Sequence, residues 1–349
     1  MKTNFTVLLL SVLCWVYIGC NTSELKQPKL FGGKPLPESY SSPDGCTIGP
    51  DGYLYISINQ SASAWKYPGK IARILPDGKL EDFFVLPVNG KTGKAAPLGL
   101  VFASDGNLYV SDNQSFCTDE PNQAGVIRVV TENGKPCHGE LVVSGLNASN
   151  GITRWKNWLY VAETNLGTSG KYTSGVYRFS LDELISGDTL IVTGVNDPHL
   201  ILSFETKNKE LAIGANGIGV DSQGNLYVNN FGDAEVMKYT FDKEGKILTS
   251  EVFCRPEGAL SLDGMQIDKN DNLWIADFTG NAVLMVDTKT RISHIVAKSK
   301  ALATGENGEL DTPSECIRWG DEVYVSNIDL NSGDQSADAV QTISVISLK

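Results

Sequence analysis

Short runs of apolar and β-branched residues, separated by Gly, Asn and Asp, recur along the whole chain. The clearest run covers residues 262–268, and it is followed by an Asn/Asp turn at 270–272 and a second apolar run at 273–277. Two such runs joined by a tight polar turn predict a β-hairpin. This hairpin is the unit from which the rest of the chain can be interpreted.

The same hairpin is found six times. A leucine, or in the last copy a valine, opens each second strand and is followed by Tyr or Trp. These markers are Leu54, Leu108, Leu159, Leu226, Leu273 and Val323. Their spacing of 47 to 67 residues is typical of a propeller in which each repeat forms one four-stranded blade. The fold class predicted is all-β, a six-bladed β-propeller. A β-sandwich with chance similarity between hairpins is the alternative, and six copies in phase argue against it.

The first residues have the pattern of an export signal. Lys2 precedes the apolar run 7–16, and Gly19 precedes Cys20, so residues 1–20 predict a signal peptide too short to span a membrane. Cys20 and the polar residues after it favour a bacterial lipoprotein, attached to the membrane through a lipidated Cys20 and located in the periplasm or at the cell surface. The alternative is an ordinary secreted protein, for which four Asn-x-Ser/Thr sequons would be glycan sites. These begin at Asn21, Asn59, Asn113 and Asn147.

The mature chain is predicted to have two parts. Residues 21–43 are polar and rich in Pro, and we expect them to form a tether in which a strand closes the ring against residues 342–348. Residues 44–349 supply the six blades as one domain. Because a closed ring leaves no unpaired sheet edge, a monomer is expected. The net charge of −12 and pI near 4.8 argue against a nucleic-acid partner, whose phosphates require clustered Lys and Arg.

Five cysteines follow Cys20, an odd number that leaves at least one free thiol. Cys117 and Cys137 flank a polar segment and are the pair predicted to form a disulfide. Cys46 and Cys316 occupy the repeat position of Met265, which predicts that they are buried as small apolar residues.

The residue that opens the innermost strand of each blade stands before a glycine or its equivalent. This ring consists of Asp44, Leu98, Asn150, Asn216, Asp263 and Ser314. Four of its members offer a carboxylate or amide oxygen at one height around the axis, a donor set that suits Ca²⁺ or another hard divalent ion. The alternative is that Asp or Asn before Gly only forms turns. The histidines His138, His199 and His294 lie outside these positions, so a histidine zinc site is not expected.

With Asn150-Gly151-Ile152, Asn216-Gly217-Ile218 and Asp263-Gly264-Met265 in this order, the chain resembles the gluconolactonase and regucalcin family of six-bladed propellers. Diisopropyl fluorophosphatase and paraoxonase are more distant relatives. The resemblance implies a central divalent ion held by Asn150, Asn216, Asp263 and a first-blade acid. Where the family has Glu-Gly-Pro, this chain has Asp44-Gly45-Cys46. The shorter Asp44 leaves three options open: ligation through water, an ion drawn toward blade one, or no ligation.

The resemblance further implies hydrolysis of a lactone or a related sugar-acid ester. Asp263 would be both ligand and general base, and Asn150 and Asn216 would be neutral ligands. Because Leu98 brings no polar group from blade two, substrate-orienting residues are expected in loops, at Asp112 and Asn113 or around Glu163. A non-catalytic cell-surface propeller that binds a glycan or protein around a structural ion is the main alternative. A strictosidine-synthase-like or lyase chemistry on the same scaffold is another.

Overall fold

The structure is a computed structural model that describes residues 24–167, 172–330, 337–338 and 340–349. Its strands form six sheets, antiparallel apart from one short added strand, and these sheets are arranged as six blades, which confirms the predicted fold. The predicted export signal and the lipidation site Cys20 lie outside the described residues. Among the residues described, no helix combines the length and the apolar character needed to cross a membrane.

In each of the first three blades the first strand lies at the central channel and the later strands follow outward. Strand β1 (Lys29–Leu30) precedes these blades in the chain but belongs to blade six. Blade one has β2 (Pro43–Ile48), β3 (Leu54–Ile58), β4 (Lys70–Ile74) and β5 (Leu80–Val85). Blade two has β6 (Pro97–Phe102), β7 (Leu108–Asp112), β8 (Ala124–Glu132) and β9 (Lys135–Leu146). Blade three has β10 (Ser149–Trp155), β11 (Trp158–Glu163), β12 (Thr173–Ser180) and β14 (Leu200–Glu205). The short β13 (Leu190–Ile191) pairs in parallel with β9 and is the fifth strand of the blade-two sheet.

In blades four to six the first strand again lies at the central channel. Blade four has β15 (Ala215–Val220), β16 (Leu226–Asn230), β17 (Glu235–Phe241) and β18 (Ile247–Cys254). Blade five has β19 (Met265–Ile267), β20 (Leu273–Asp277), β21 (Ala282–Val286) and β22 (Ser293–Lys298). Blade six has β23 (Pro313–Trp319), β24 (Glu322–Asn327) and β25 (Thr342–Ser347). Helical segments are short: α1 (Leu181–Leu184) and the 3₁₀ turns Phe31–Gly33, Glu38–Tyr40, Gln114–Phe116 and Gly194–Asn196.

The ring is closed by the N-terminal segment. Lys29 pairs with Val345 and Leu30 with Ser344, so β1 becomes the outer, fourth strand of blade six. This confirms the strand expected within the predicted tether. The propeller therefore begins upstream of Asp44, because residues from both ends of the described chain build its last blade.

Apolar packing between blades explains why both faces of the second strands are hydrophobic. Six clusters of buried residues lie at the six blade interfaces. Leu54 and Ile56 face blade six, whereas Tyr55 between them faces blade two. Because successive side chains of a strand point to opposite faces, a sheet covered on both sides has an almost continuous apolar run. All six marker residues are fully buried.

The turn acids have a structural partner in the repeat. Tyr55 donates a hydrogen bond from its hydroxyl to Asp51 in the preceding turn at 2.7 Å. Tyr109, Tyr227 and Trp274 make the equivalent bond to Asp105, Asp221 and Asp268. These bonds connect each Asp-containing turn to the aromatic residue after the marker. They explain why an Asp in the turn and an aromatic residue after the marker recur together in the sequence.

The predicted disulfide between Cys117 and Cys137 is wrong, since both cysteines are free. Cys117 follows the 3₁₀ turn after β7, whereas Cys137 lies near the start of β9, at the opposite end of the β8–β9 hairpin. The nine-residue β8 separates the two ends, and nine residues of strand span about 25 Å, far beyond the reach of a disulfide. Cys46 and Cys316 are buried as predicted, at 1% and 0% exposure.

Candidate functional site

The ring residues stand at a repeated irregularity of the innermost strands. In β2, β6, β10, β15 and β23 the pairing register shifts next to the ring position. A bulge of this kind changes the direction of a side chain without ending the strand. Together with Asp263, which stands just before β19, these five ring residues lie at the mouth of the channel where the innermost strands begin.

Glycine follows the ring residue in five blades because the next blade is too close for a side chain. A Cβ on Gly151 would lie 2.3 Å from the carbonyl oxygen of Asn216, and one on Gly217 would lie 2.4 Å from that of Asp263. The contacts are also backbone bonds, since Gly217 donates its N–H to Asp263 O at 3.1 Å. Each ring residue is thus fixed by its neighbouring blade as well as by its own strand.

The four predicted metal ligands come together in one cavity. Asp44, Asn150, Asn216 and Asp263 all line a cavity of about 310 Å³ at this mouth. Leu98 also lines it, as expected from its place in the ring. A second cavity of about 460 Å³ opens at the opposite end of the channel, and none of the predicted ligands lines it.

Three carboxyl groups share the channel near this cavity. Desolvation raises the pKa of Asp44 to about 7, against a lowering effect of the Ser314 hydroxyl. Desolvation and the charges of Asp44 and Glu315 raise the pKa of Asp263 well above its usual range, and the Asn216 amide partly offsets this. The pKa of Glu315 rises to about 8, mainly through desolvation. Among the described residues, no lysine or arginine forms an ion pair with any of the three.

Glu315 is the site residue that the sequence analysis missed. It replaces the glycine that the other five blades have after the ring residue, and it is 7% exposed. Its carboxylate accepts hydrogen bonds from the Gln266 side chain at 3.3 Å and from the backbone N–H of Cys316 at 3.1 Å. The signal was present in the sequence, because this acid stands where each of the other five blades has a glycine.

The loop residues predicted to orient a substrate have different positions. Asn113 lines the cavity, as do Ser115 and Thr164. Asp112 does not line it: this buried carboxylate accepts hydrogen bonds from Ala96 N–H at 2.7 Å and from Gln114. It therefore fixes the strand entry of blade two, behind the cavity wall.

Glu163 has the same arrangement in blade three. Its carboxylate accepts hydrogen bonds from the backbone N–H groups of Asn147 and Ala148. Desolvation raises its pKa to about 7, and these backbone bonds act in the lowering direction. An acid that ends the second strand and holds the entry loop is thus a repeated structural device of this propeller.

The outer part of the cavity is apolar. Phe231, Phe278 and Ile328 form a small buried cluster separate from the blade interfaces, with Leu330 packed against it. The two phenylalanine rings lie 5.8 Å apart. Phe116 and Ile213 complete the apolar lining. The cavity therefore has a polar, acidic floor and an apolar wall, a combination suited to a small molecule with one polar and one apolar end.

The ring fits a hard divalent cation by the chemistry of its donors. It offers carboxylate oxygens from Asp44 and Asp263 and amide oxygens from Asn150 and Asn216, the ligand types preferred by Ca²⁺. Buried carboxylates without a basic partner are costly to ionise. A divalent cation would remove that cost, so the charge imbalance of the floor and its donor set point to the same kind of ligand.

The structure is therefore a six-bladed propeller with a polar site at the end of the channel where its innermost strands begin. Residues 195–304 match the family model described as SMP-30/Gluconolactonase/LRE-like region. This match covers blades four and five together with the Asn216 and Asp263 positions, and it confirms the resemblance drawn from the sequence. No curated protein matched the chain.

Solved structures share the fold across nearly the whole chain. A luciferin-regenerating enzyme has 16% identity and a TM-score of 0.57, covering 92% of this chain and 95% of its own. A gluconolactonase from Xanthomonas campestris has 14% identity and a TM-score of 0.56, with the same coverage of 92% and 95%. A PQQ-bound aldose sugar dehydrogenase from Streptomyces coelicolor has 15% identity and a TM-score of 0.55, covering 92% and 98%. At these identities the likeness establishes the fold alone.

Proposed function

We propose that this protein is a divalent-metal-dependent hydrolase that opens a lactone or a related sugar-acid ester. The observation that carries the proposal is the convergence of Asp44, Asn150, Asn216 and Asp263 on one cavity. The family match over residues 195–304 supports the choice of this reaction over other chemistry on the same fold.

The four ring residues would hold the cation, with Ca²⁺ the ion expected from all-oxygen ligands. When bound, such an ion polarises an ester carbonyl and makes a water molecule more acidic. Asp44 and Asp263 supply negative charge, whereas Asn150 and Asn216 bind without adding any. Two acidic ligands balance the charge of a divalent ion, whereas four would leave the site net negative and the ion a weaker electrophile.

Asp263 would act as the general base. Its carboxylate lines the cavity together with the other three proposed ligands, so a water made more acidic by the ion would lie beside it. The Asn216 amide interacts with this carboxylate and would hold it in one orientation. Asp263 would take the proton from the attacking water and return it to the leaving alkoxide as the ring opens.

The wall of the cavity indicates the kind of lactone. Asn113, Ser115 and Thr164 offer hydrogen-bonding groups on one side, and the cluster around Phe231 and Phe278 offers an apolar surface on the other. A lactone with an apolar substituent would contact both sides. The substituted lactone is therefore expected to be a better substrate than the fully hydroxylated gluconolactone.

The test is a panel of γ- and δ-lactones, unsubstituted, alkyl-substituted and hydroxylated, with acid release followed by a pH indicator in Ca²⁺ or in EDTA. We expect Ca²⁺-dependent hydrolysis, with Asp263→Asn lowering kcat by about 10²–10⁴, the usual contribution of a general base. Asp321→Asn, at an exposed residue in the β23–β24 turn at the other end of the channel, removes the same charge and should keep full activity.

Equal turnover by the Asp263→Asn variant and the native protein would refute this mechanism. Ca²⁺ binding without hydrolysis of any lactone in the panel would instead favour a binding propeller built around a structural ion. A Leu330→Ala variant tests the apolar wall, and it should raise KM for alkyl-substituted lactones while leaving that for hydroxylated ones unchanged.

A further inference from the structure

Three aspartates outside the ring form a compact acidic cluster on blade six. One carboxylate oxygen each from Asp311, Asp329 and Asp338 lies within 4.8 Å of the other two. Asp311 precedes β23, Asp329 follows β24, and Asp338 precedes β25. The chain thus brings two loops of blade six together, the one before β23 and the one between β24 and β25, on the same face of the propeller as the cavity.

The cluster contains a buried acceptor that lacks a partner. Asp311 is 2% exposed, and among the described residues its Oδ2 atom has no hydrogen-bond partner. A buried oxygen of this kind is costly to leave unsatisfied, and it is costlier when the group is a carboxylate surrounded by other carboxylates. Since the polar groups of the described residues do not meet this need, the Oδ2 atom is open to a cation, which accepts electron pairs from oxygen.

The other two carboxylates are held in place by the loops themselves. Asp329 accepts hydrogen bonds from the backbone N–H of Asp338 at 2.9 Å and from the Gln341 side chain at 2.8 Å. Asp338 accepts one from the N–H of Val340 at 2.8 Å. These bonds use one lone pair each and fix the carboxylate positions before any ion arrives.

We propose that Asp311, Asp329 and Asp338 form a second divalent-cation site, occupied by Ca²⁺, that is distinct from the ring. Three hard carboxylate oxygens within this distance meet the preference of Ca²⁺ for oxygen ligands. Asp329 is flanked by Ile328 and Leu330, two residues of the cavity wall. An ion here fastens the loop that carries that wall to the strands of blade six, so the site acts on substrate binding through position and not through chemistry.

The test is the number of Ca²⁺ ions bound per chain, measured by isothermal titration of the chain lacking residues 1–20. Titration extends to about 5 mM Ca²⁺, because sites of extracellular type have Kd values of about 10⁻⁴–10⁻³ M. The native protein should bind two ions. Asp338→Asn, at an exposed position, should bind one, and Asp311→Asn should lose the same ion. The charge-matched control Asp321→Asn should bind two.

The ring site and the blade-six site can be refuted independently of each other. Asp263→Asn should remove the ring ion and leave the blade-six ion. If the native protein binds a single ion and Asp338→Asn abolishes that binding, the blade-six site is supported and the ring site is not. A single ion lost in Asp263→Asn but retained in Asp338→Asn and Asp311→Asn overturns the proposal. Two ions in folded Asp338→Asn protein, with the fold checked by circular dichroism, also overturn it.

Discussion

Replacing Glu315 by Gln should stabilise the cation-free protein at alkaline pH and leave it unchanged at acid pH. Glu315 lies in the channel beside two other acids, and its pKa is raised from 4.5 to about 8. A carboxyl group with a raised pKa holds its proton more tightly in the folded state than in the unfolded state. It therefore favours folding at low pH, and this advantage is lost as pH rises from about 4.5 to about 8.

The size of the effect follows from that pKa change. Each unit corresponds to about 1.4 kcal/mol, so the loss approaches about 5 kcal/mol over the whole window. Gln has the same shape as protonated Glu but does not ionise. At pH 4.5 the variant and the native protein should have the same free energy of unfolding, and by pH 8.5 the variant should be more stable by up to about 5 kcal/mol.

The assay is urea unfolding in EDTA at intervals between pH 4.5 and 8.5, followed by tryptophan fluorescence. Glu322→Gln, at an exposed position on β24 of the same blade, controls for the loss of one carboxyl group. Parallel curves of unfolding free energy against pH for native and Glu315→Gln protein would refute the assignment of Glu315 as a buried channel acid. Saturating Ca²⁺ should flatten the pH dependence of the native protein, because the cation favours the ionised acids of the floor.

Three further outcomes test the framework around the site. Asp112→Ala leaves the buried N–H of Ala96 without its acceptor, which should cost about 1–3 kcal/mol in urea unfolding. Gly151→Ala places a Cβ 2.3 Å from a backbone oxygen of the next blade and should cost about 1–3 kcal/mol by overpacking, whereas alanine at Gly90, where no atom lies within 4 Å, should be tolerated. Because Cys117 and Cys137 are free, a reducing agent should leave the thermal midpoint unchanged, and a fall would indicate a disulfide.

The blades were predictable because their signal is repeated. The marker leucines are buried between blades on every occasion, so each copy of the hairpin reports the same interface. The ring was predictable for a related reason: its residues precede glycines that the next blade forces to be glycines. Local sequence therefore carried both the fold and the height of the four donors.

Features that depend on contacts between residues distant in sequence could not be predicted in this way. Glu315 interrupts the glycine pattern, yet its partners Gln266 and Asp44 are distant in sequence. The cluster of Asp311, Asp329 and Asp338 assembles from two loops and has no common spacing. The disulfide prediction failed because cysteines that are close in sequence are held apart by the length of β8.

For Asp112 the sequence predicted the position of the residue but not the direction of its side chain. The sequence predicts a polar residue at the mouth of blade two, and the structure does place one close to the mouth. Its hydrogen bonds to Ala96 and Gln114 turn the carboxylate away from the cavity, whereas Asn113 beside it lines the cavity. The direction of a side chain at a strand end depends on the entry loop, and that loop is more than ten residues away in sequence.

The most direct test of the central claim is the Ca²⁺-induced shift of the thermal midpoint in the Asp338→Asn background, with and without Asp263→Ala. If the ring binds the ion, Ca²⁺ at 100 times its Kd should stabilise the protein with Asp263 by about 2.7 kcal/mol and leave the Asp263→Ala protein unaffected. An equal shift in both proteins, or no shift with Ca²⁺ in either, would contradict the assignment of the ring as a cation site.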